Sequence, residues 1–361
     1  KAITEAATFS TPGKHRASSS VVRVAVAGAT GYAGLELLRL LARHPQARVT
    51  RLMSSGRDGK KEFPIEQSHP SLRGKFAVPC QPLSVEALPP SEVDLVFLAT
   101  PHHAALQIAP RLLERNLRVI DLSAAFRLKD AAAYPRWYGF EHNAHAELEE
   151  AVYGLTELNG ARIAKARLIA NPGCYASSVI LALAPAIAKG WIDAKAGIIS
   201  DSKSGASGAG RGLSEKLHFV EVNENCRAYG LFNHRHVPEM LQALKLAEKD
   251  FTFTPHLLPI TRGILSTLYV RLPKPRTHGE VVALYRDFYG GAPFVRVLDS
   301  GVPEIQSVAQ TNFADIGFSL DADGARMIIV SALDNLIKGA AGQAIQNMNV
   351  MYGLAEGTAL T

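Results

Sequence analysis

The sequence predicts an α/β protein of two domains, the first a doubly wound parallel sheet and the second a largely antiparallel or mixed sheet. Three observations support this fold class. The chain has 361 residues, about twice the usual size of one domain. As far as about Tyr153, short apolar runs alternate with segments of helical periodicity, which is typical of parallel strands joined by helices. Beyond that residue, β-rich runs dominate.

In the first domain, residues 22–28 form a short apolar run that fits a buried parallel strand. A helix follows over residues 32–43, where leucines recur at helical spacing until Pro45 ends the segment. The remaining predicted elements alternate in the same way, with strands at 48–53, 94–99 and 118–122 and a helix at 104–115.

In the second domain, a helix over residues 175–189 is followed by a strand and a Gly-rich loop. The predicted strands of this domain lie at 196–201, 252–259, 264–272, 316–320 and 326–331. A final helix over 335–352 carries Ala340, Ala344 and Met348 on one face, which suits close packing on another element.

Composition and charge exclude several classes of protein. Hydrophobic residues make up 47% of the chain and charged residues 20%, as in ordinary globular proteins. The net charge of +6 is spread along the chain, so we expect no nucleic-acid partner. No apolar run reaches the roughly 18 residues of a membrane-spanning helix, so we expect no membrane association. Three scattered cysteines indicate a reducing compartment and form no zinc pattern.

Residues 1–20 differ from the rest, because they are small, hydroxylated and basic, with Glu5 as the one acid. They lack the apolar core of a secretory signal, whereas this composition is used by organelle transit peptides. We therefore expect the chloroplast stroma, with a cytoplasmic location as the alternative. A disordered arm, or residues added for expression, explains the same composition.

A glycine-rich turn at residues 28–34 (Gly-Ala-Thr-Gly-Tyr-Ala-Gly) joins the first strand to the first helix. Glycines there let the backbone approach a pyrophosphate, whose charge meets amides at the helix N-terminus. The spacing is G-x-x-G-x-x-G rather than G-x-G-x-x-G, so a merely structural turn is the alternative. The predicted dinucleotide contacts are Gly28, Thr30, Gly31, Tyr32 and Gly34.

The end of the second strand indicates which dinucleotide binds. NAD sites usually place Asp or Glu about 20 residues after the glycines. Here the strand ends in Ser54, Ser55 and Arg57, with no acid before Asp58. Hydroxyls and a guanidinium favour a 2′-phosphate, so we predict NADP bound by these three residues. A solvated polar loop is the alternative.

A cysteine begins the predicted helix of the second domain, within Asn-Pro-Gly-Cys-Tyr at 171–175. Free amides and the helix dipole stabilise a thiolate at a helix N-terminus, and the same amides can hold an oxyanion. We therefore predict that Cys174 is a nucleophile. We interpret Cys80 and Cys226 as small buried hydrophobic residues.

The densest group of imidazoles is His234-Arg235-His236, followed by Pro238-Glu239. In an extended segment the two histidines face one way and Arg235 the other. One imidazole could exchange protons with Cys174 while Glu239 orients it. Metal chelation is the competitor, but no third ligand has matching spacing, so we predict no metal. We interpret the remaining histidines considered, His102, His103, His142 and His145, as ordinary loop residues.

A Ser- and Gly-rich segment at residues 200–211 follows a predicted strand. Small residues expose backbone amides, and Lys203 and Arg211 add charge, which suits a phosphate or a carboxylate. A flexible linker is the alternative. The predicted substrate contacts in this segment are Ser204, Gly205, Gly208 and Arg211.

With these residues assembled, the chain from about Val21 onward resembles the long form of the N-acetyl-γ-glutamyl-phosphate reductases of arginine biosynthesis. The resemblance is carried by residues 28–34, 171–175, 234–239 and Asp-Asn-Leu-Ile-Lys-Gly-Ala-Ala-Gly-Gln at 334–343. Two positions depart from the family: Ala125 stands where Asp is general, and Ser177-Ser178 replace Thr and a small Gly or Ala.

The resemblance implies a Rossmann-type NADP-binding domain over 21–172 and 335–361. It also implies an α+β catalytic and oligomerisation domain over 173–334, like that of glyceraldehyde-3-phosphate dehydrogenase, in a homo-oligomer that is a dimer or tetramer. It adds cofactor contacts at Thr100, Pro101, Ser123 and Asn335 and a substrate contact at Arg127.

The resemblance further implies a mechanism. The Cys174 thiolate attacks the acyl phosphate of N-acetylglutamyl phosphate, phosphate leaves, and the thioester accepts hydride from NADPH. His234 or His236 serves as acid and base, with a slight preference for His234, and Arg211 is the preferred anion ligand. An aspartate-semialdehyde dehydrogenase-type enzyme and a nonenzymatic NADP-binding sensor are the alternatives.

Overall fold

The computed structural model describes residues 21–55 and 61–361. They divide into two compact units, of which the first comprises residues 21–172 and Ala340–Thr361 and the second comprises Gly173–Gly339. The expected N-terminal arm and Arg57 lie outside the described residues. Among the residues described, no helix has both the length and the apolar character needed to cross a membrane.

The first unit is built on a seven-stranded sheet in the order β3-β2-β1-β4-β5-β7-β6, in which every pairing is parallel. Its strands are β1 (Val22–Ala27), β2 (Ala47–Ser54), β3 (Cys80–Pro82), β4 (Leu95–Leu98), β5 (Arg118–Asp121), β6 (Val152–Tyr153) and β7 (Leu168–Ala170). Its helices are α1 (Tyr32–Leu41), α2 (His102–Glu114), α3 (Tyr134–Tyr138), α4 (His145–Glu150), α5 (Thr156–Ile163) and α11 (Gly342–Met351).

The apolar run that predicts β1 is buried on both faces, with Val24, Ala25 and Val26 at 0% exposure. That pattern is expected for the centre of a parallel sheet whose two faces are covered. The strand order reverses at β1, which pairs with β2 on one side and β4 on the other. The carboxyl ends of strands at such a switch point form the usual ligand crevice of an open α/β sheet.

The C-terminal helix packs in the first unit, where Arg118 donates to the carbonyl of Met351 and Asn347 donates to the carbonyl of Gly154. The prediction of a helix starting at residue 335 is wrong, because α11 begins at Gly342 and a π-helical turn, Ile337–Ala341, precedes it. The Asp334 carboxylate accepts the amides of Leu336 and Ile337, so these residues form a turn of their own.

The second unit has a mixed seven-stranded sheet in the order β12-β13-β14-β11-β8-β10-β9. Its strands are β8 (Ile198–Gly205), β9 (Arg227–Ala228), β10 (Phe251–Leu258), β11 (Ile264–Arg271), β12 (Val295–Val297), β13 (Ala314–Leu320) and β14 (Arg326–Leu333). Its helices are α6 (Cys174–Ala188), α7 (Phe219–Val222), α8 (Val237–Leu244), α9 (His278–Phe288) and α10 (Ile305–Val308). β11 runs antiparallel to both β8 and β14, whereas β10 runs parallel to β8.

Helix α6 packs on this sheet through buried serines. The Ser178 hydroxyl donates to Ser266 Oγ at 2.9 Å, and the Ser202 hydroxyl donates to the same Ser266 oxygen at 2.8 Å. Small hydroxylated side chains let the helix approach the strands closely while satisfying one another's hydrogen bonds.

The prediction of a Gly-rich loop at 200–211 is wrong for residues 200–205, because β8 continues to Gly205. Ser200, Ser202 and Ser204 are buried, while Asp201 and Lys203 are only partly so, which is the period of two of a strand. The bias toward serine and glycine conceals that period, since serine is also typical of loops.

Candidate active site

The predicted nucleophile is the first residue of α6. Gly173 occupies the N-cap and has no side chain with which to cap the helix, and the helix has no acidic residue in its own first turn. The first amides of an α-helix have no acceptor within the helix, and its dipole favours negative charge there. Cys174 is partly exposed, so its thiol is accessible at this helix start.

The ring of His236 packs directly against Gly173. A Cβ on Gly173 would lie 2.5 Å from His236 Nε2, so any side chain here would displace the imidazole. The amide of Gly173 donates to Glu239 Oε2 at 2.9 Å. His236 is the N-cap of α8 and Glu239 lies in its first turn, so the start of α8 meets the turn that presents Cys174.

His234 occupies a different environment. It is buried, and its ring contacts Tyr175, Tyr229 and Phe253 at centroid distances of 5.3–5.6 Å. Burial, reinforced by the charge of Arg235, lowers the pKa of His234 to about 4. The imidazole is therefore neutral at physiological pH, and its Nδ1 accepts the amide of His236 at 3.1 Å.

Residues 234–236 are not extended, so the geometry considered for an extended segment does not apply. They form a turn that leads into α8, and His236 has helical backbone angles. Pro238 is among the first residues of this helix, where its missing amide costs nothing. The two histidines are nevertheless both buried and Arg235 is exposed.

The π-helical turn Ile337–Ala341 also packs against Cys174, through Gly339. A Cβ on Gly339 would lie 2.7 Å from the Cβ of Cys174, so glycine is needed for this approach. The amide of Gly339 donates to the carbonyl of Asp334, whose buried carboxylate also accepts the amide of Gln310. Such π-helical turns are frequent at functional sites. Sequence reasoning missed Gly339 and Asp334 as supports, although both lie in the 334–343 motif.

Asn335 lies beside the predicted anion loop of the second unit. Its Oδ1 accepts the amide of Gly263 at 2.7 Å and its Nδ2 donates to Ser207 Oγ at 3.0 Å. A Cβ on Gly208 would lie 3.6 Å from both Asn335 Nδ2 and Ser204 Oγ. Ser204 and Gly208 thus lie close together, while their substrate contacts and the cofactor contact of Asn335 stay predictions.

A cation that sequence reasoning missed lies near the same loop. Arg262 connects β10 to β11, and its Nη1 lies 3.6 Å from Asp334 Oδ2, with 18% of the side chain exposed. A Cβ on Gly205 would lie 2.6 Å from the Arg262 amide nitrogen, so this turn packs against the end of β8. Arg211, the cation that the sequence indicated, is exposed. In the sequence, Arg262 could have been found as part of an Arg-Gly pair between two predicted strands.

In the first unit, two of the three predicted glycines are required by geometry. Gly28 has a φ of +83°, and a Cβ there would lie 2.2 Å from the carbonyl oxygen of Ala99. A Cβ on Gly34 would lie 2.3 Å from the carbonyl oxygen of Gly28. Gly31 is the N-cap of α1 and provides no side-chain cap, so the first amides of the helix, from Tyr32 onward, suit an anion.

The ends of β2 and β4 contribute hydroxyls at the same edge of the sheet. Ser54 is buried as the last residue of β2, and Ser55 is exposed after it. Thr100 follows β4, and its Oγ1 is buried without a hydrogen-bond partner in the described part of the chain. Pro101 is the N-cap of α2. These residues fit a dinucleotide, whose sugar and phosphate oxygens would pair with such groups.

The end of β5 carries a buried acid that sequence reasoning missed. Asp121 accepts both the amide and the hydroxyl of Ser123, at 2.9 and 2.8 Å. Burial raises the pKa of Asp121 to about 6, although the bonds from Ser123 and the charge of Arg127 oppose the shift. Arg127 is itself buried and donates to the carbonyls of Asn171 and Leu122. These hydrogen bonds join the segments that follow β5 and β7. The substrate contact of Arg127 stays a prediction.

Two minor interpretations are wrong. Cys226 is exposed rather than buried, because it lies in a segment that packs on little else, whereas Cys80 is fully buried in β3. His102 and His103 begin α2 and His145 begins α4, so only His142 of that group lies in a loop.

Comparison with known proteins identifies the family. The chain matches the semialdehyde dehydrogenase NAD binding domain over residues 23–166 and the semialdehyde dehydrogenase dimerisation domain over residues 174–335. It is 49% identical over 343 residues to N-acetyl-gamma-glutamyl-phosphate reductase of Pelotomaculum thermopropionicum, covering 94% of this chain and 97% of the relative. The Geobacter sulfurreducens protein of the same name is 50% identical over 349 residues, at 94% and 98% coverage.

The chain belongs to the N-acetyl-gamma-glutamyl-phosphate reductase family. The resemblance drawn from the sequence motifs is thereby confirmed, and the chain is an enzyme of the oxidoreductase class. These reductases are bacterial, and they give no support to the chloroplast stroma expected from residues 1–20.

Solved structures share the fold. Aspartate semialdehyde dehydrogenase II of Vibrio cholerae, complexed with ASA, has a TM-score of 0.67 at 18% identity, covering 92% of this chain and 98% of that one. Aspartate semialdehyde dehydrogenase of Candida albicans, solved with NADP, has a TM-score of 0.66 at 17% identity and the same coverage. The predicted fold class of this reductase is therefore confirmed.

Proposed function

We propose that this chain reduces N-acetyl-γ-glutamyl phosphate to N-acetylglutamate semialdehyde and releases phosphate. The observation that carries the proposal is the position of Cys174, partly exposed at the start of α6, with the His236 ring against the preceding glycine. The names of relatives about half identical to the chain support the substrate. We assign nucleotide binding to residues 21–172 and 335–361 and catalysis to residues 173–334.

The first half-reaction transfers the acyl group. His236 takes the proton of the Cys174 thiol, and the thiolate attacks the acyl carbon. The carbon–oxygen bond to phosphate breaks, phosphate leaves, and the acyl group is held as a thioester on Cys174. The free amides at the start of α6 stabilise the oxyanion that forms during attack.

The second half-reaction releases the aldehyde. Bound NADPH would supply the hydride that the thioester carbon accepts. Protonated His236 then neutralises the resulting oxyanion, and the same imidazole takes the hydroxyl proton back as the carbon–sulfur bond breaks. We choose His236 over His234 because burial lowers the pKa of His234 and aromatic rings enclose it, whereas His236 packs beside the nucleophile's turn. Glu239 holds that turn through the Gly173 amide.

We propose NADP rather than NAD as the cofactor. The amides at the start of α1 would hold the pyrophosphate, and Thr100 Oγ1 has unmet hydrogen-bonding capacity at the same sheet edge. Ser55 and Arg57 would bind the 2′-phosphate, and the strand end at residues 54–57 has no acid to bind a free ribose. The solved relative that carries NADP supports this choice. Arg57→Ala should weaken NADPH binding much more than NADH binding, and equal weakening would remove the 2′-phosphate role.

Substrate anions have cationic residues available in the second unit. We propose that Arg211, Arg262 and the amides around Gly205 and Gly208 bind the phosphate and carboxylate of the substrate. Arg262 is only 18% exposed beside Asp334, so its charge is less screened than that of a surface arginine. Arg127 remains a further candidate for a substrate carboxylate.

We also propose a homo-oligomer, a dimer or tetramer. Helices α6 and α9 pack on the sheet of the second unit, while Ile199, Tyr269 and Ile328 stand exposed at 47%, 43% and 36%. Tyr269 pairs in register with both Ile199 and Ile328, so the three side chains form one apolar row across adjacent strands. The description of the matching family domain as a dimerisation domain supports a second copy on this face.

The deciding experiment measures phosphate-dependent NADP reduction with N-acetylglutamate semialdehyde and with aspartate semialdehyde. We expect kcat/KM to favour the acetylated substrate by several orders of magnitude. Equal rates with both, or a preference for aspartate semialdehyde, would refute the assignment. Cys174→Ala should abolish turnover while NADPH binding survives, and Cys80→Ala, in β3, is the control that keeps turnover. A nonenzymatic sensor would show no turnover in the wild type.

A further inference from the structure

The C-terminal helix α11 buries polar side chains. Its four amide side chains, Gln343, Gln346, Asn347 and Asn349, are all fully buried. Burying an amide costs free energy unless hydrogen bonds replace those to water, whereas an apolar side chain fills the same space without that cost. The partners of these amides therefore show what the helix holds in place.

Two of the amides belong to one continuous series of hydrogen bonds inside the first unit. Gln343 Nε2 donates to Thr156 Oγ1 at 2.8 Å, and the Thr156 hydroxyl donates to Asn347 Oδ1 at 2.7 Å. Asn347 Nδ2 donates to Asn171 Oδ1 at 3.0 Å, and Asn171 Nδ2 donates to the carbonyl of Ala340 at 3.1 Å. We call Gln343, Thr156, Asn347 and Asn171 the α11 hydrogen-bond chain. Linked bonds in a buried site strengthen one another.

The backbone of Asn171 is fixed as firmly as its side chain. The residue is buried, and it lies three positions before Cys174. Its amide donates to the carbonyl of Asp121 at 2.8 Å, and its carbonyl accepts Arg127 Nε at 2.8 Å. Each polar atom of Asn171 thus has a partner, so the peptide that leads toward the nucleophile is held in one orientation.

The residue that accepts the last bond of this chain is also close to Cys174 in sequence and space. Ala340 follows Gly339, and a Cβ on Gly339 would lie 2.7 Å from the Cβ of Cys174. We propose that Asn347 and Asn171 are positioning residues, which hold the start of α6 where the thiol of Cys174 meets its base. This inference rests on the proposed role of Cys174 as the nucleophile.

The position of Asn347 requires a glycine opposite it. A Cβ on Gly154 would lie 2.5 Å from Asn347 Nδ2, which also donates to the Gly154 carbonyl at 2.8 Å. The amide therefore uses one hydrogen on Gly154 and the other on Asn171, while its oxygen accepts from Thr156. Aspartate, of the same shape, has no such donors when ionised.

Asn349 provides a matched comparison on the same helix. It is equally buried, its Oδ1 lies 2.9 Å from His44 Nε2, and its Nδ2 donates to the carbonyls of Glu356 and Thr358 at 3.0 Å. These bonds hold the residues after α1 and after α11, and none of them involves the residues next to Cys174. A purely structural amide of α11 should behave like Asn349.

The test compares Asn347→Ala with Asn349→Ala, which remove the same atoms from equally buried sites. Both should lower the Tm, so rates are measured well below both transitions. We expect Asn347→Ala to lower kcat roughly ten- to a hundredfold, because a small displacement of the nucleophile is costly, with the KM for NADPH unchanged. Alkylation of Cys174 by iodoacetamide at neutral pH should slow in parallel. Asn349→Ala should keep the wild-type kcat and alkylation rate, and equal losses in the two variants would overturn the proposal.

A milder pair of variants serves if Asn347→Ala does not fold. Thr156→Val keeps the shape but removes the hydroxyl that joins Gln343 to Asn347, whereas Thr156→Ser keeps the hydroxyl. The valine variant should lose kcat severalfold and the serine variant should regain it, while equal kcat in the two would contradict the proposal. Alkylation needs no substrate, so it tests the positioning role even if the wild type lacks the proposed turnover, a result that would refute the proposed reaction alone.

Discussion

The His236 ring and the Cα of Gly173 are in such close contact that a methyl group on Gly173 would lie 2.5 Å from His236 Nε2. Gly173 has a φ of −70°, which any residue adopts, so the requirement for glycine comes from the imidazole and not from the backbone. The turn before Cys174 and the start of α8 are therefore a single packed unit, which fixes where the nucleophile and the base stand.

Gly173→Ala tests this contact. The methyl group should push the imidazole away from the nucleophile's turn and lower kcat roughly a hundredfold, since small displacements of catalytic groups cost about that much. NADPH binding should be unchanged. The control is Gly279→Ala in α9, where a Cβ meets nothing within 4 Å and turnover should stay at the wild-type level. Full activity in Gly173→Ala would show that the contact is not needed.

His236→Asn tests the proposed base. Without the imidazole, kcat/KM should fall by roughly 10²–10⁴-fold, the range that general acid–base catalysis supplies. Alkylation of Cys174 at neutral pH should slow as well, because the thiol has lost its proton acceptor. His234→Asn is the matched variant and should lose much less. The assignment fails if the two variants lose activity equally.

The local signals of the sequence predict much of this site, and the long-range contacts do not follow from them. A buried apolar run before glycines predicts β1 and α1, and Pro172-Gly173 predicts that Cys174 begins a helix, because each feature acts within a few residues. The bond from Gly173 to Glu239 joins residues 66 positions apart, and no periodicity encodes it. Only the fold reveals that glycine at 173 and 339 makes room for a side chain.

The wrong and missed predictions arise from tertiary contacts that the local sequence pattern does not contain. Residues 335–352 read as one helix because small and apolar residues recur there at helical spacing, whereas the Asp334 carboxylate captures two amides and imposes a separate turn. The sequence does not single out Asp121 as a functional residue, because one acidic residue after a strand is common. Its burial and raised pKa arise from the loops that close over it.

His234 should make stability depend on pH. Its pKa is about 4 in the folded protein and about 6.5 when unfolded, so between these values the unfolded chain binds the extra proton. Stability therefore falls as pH drops from about 6.5 toward 4, by about 2 kcal/mol at pH 5. Urea unfolding of wild type and His234→Asn at pH 7.5 and 5.0 isolates this contribution from that of Asp121. Equal pH dependence in the two proteins would contradict it.

Gly28→Ala and Gly31→Ala separate two roles of the glycine turn. At position 28 the φ of +83° disfavours a side chain, and the carbonyl oxygen of Ala99, which would lie 2.2 Å from a Cβ, excludes one. Displacing that strand end should cost about 1–3 kcal/mol of unfolding free energy and also remove NADPH binding. At position 31 a Cβ would lie 3.5 Å from the carbonyl oxygen of Gly28, an ordinary contact.

Gly31→Ala should therefore leave the Tm nearly unchanged. Its methyl group stands at the uncapped start of α1, where a pyrophosphate would approach the amides, so NADPH binding measured by fluorescence titration should weaken while folding does not. If Gly31→Ala binds NADPH as tightly as the wild type, the anion does not sit on this helix terminus. If Gly28→Ala keeps both its Tm and its affinity, the close contact with Ala99 has no energetic consequence.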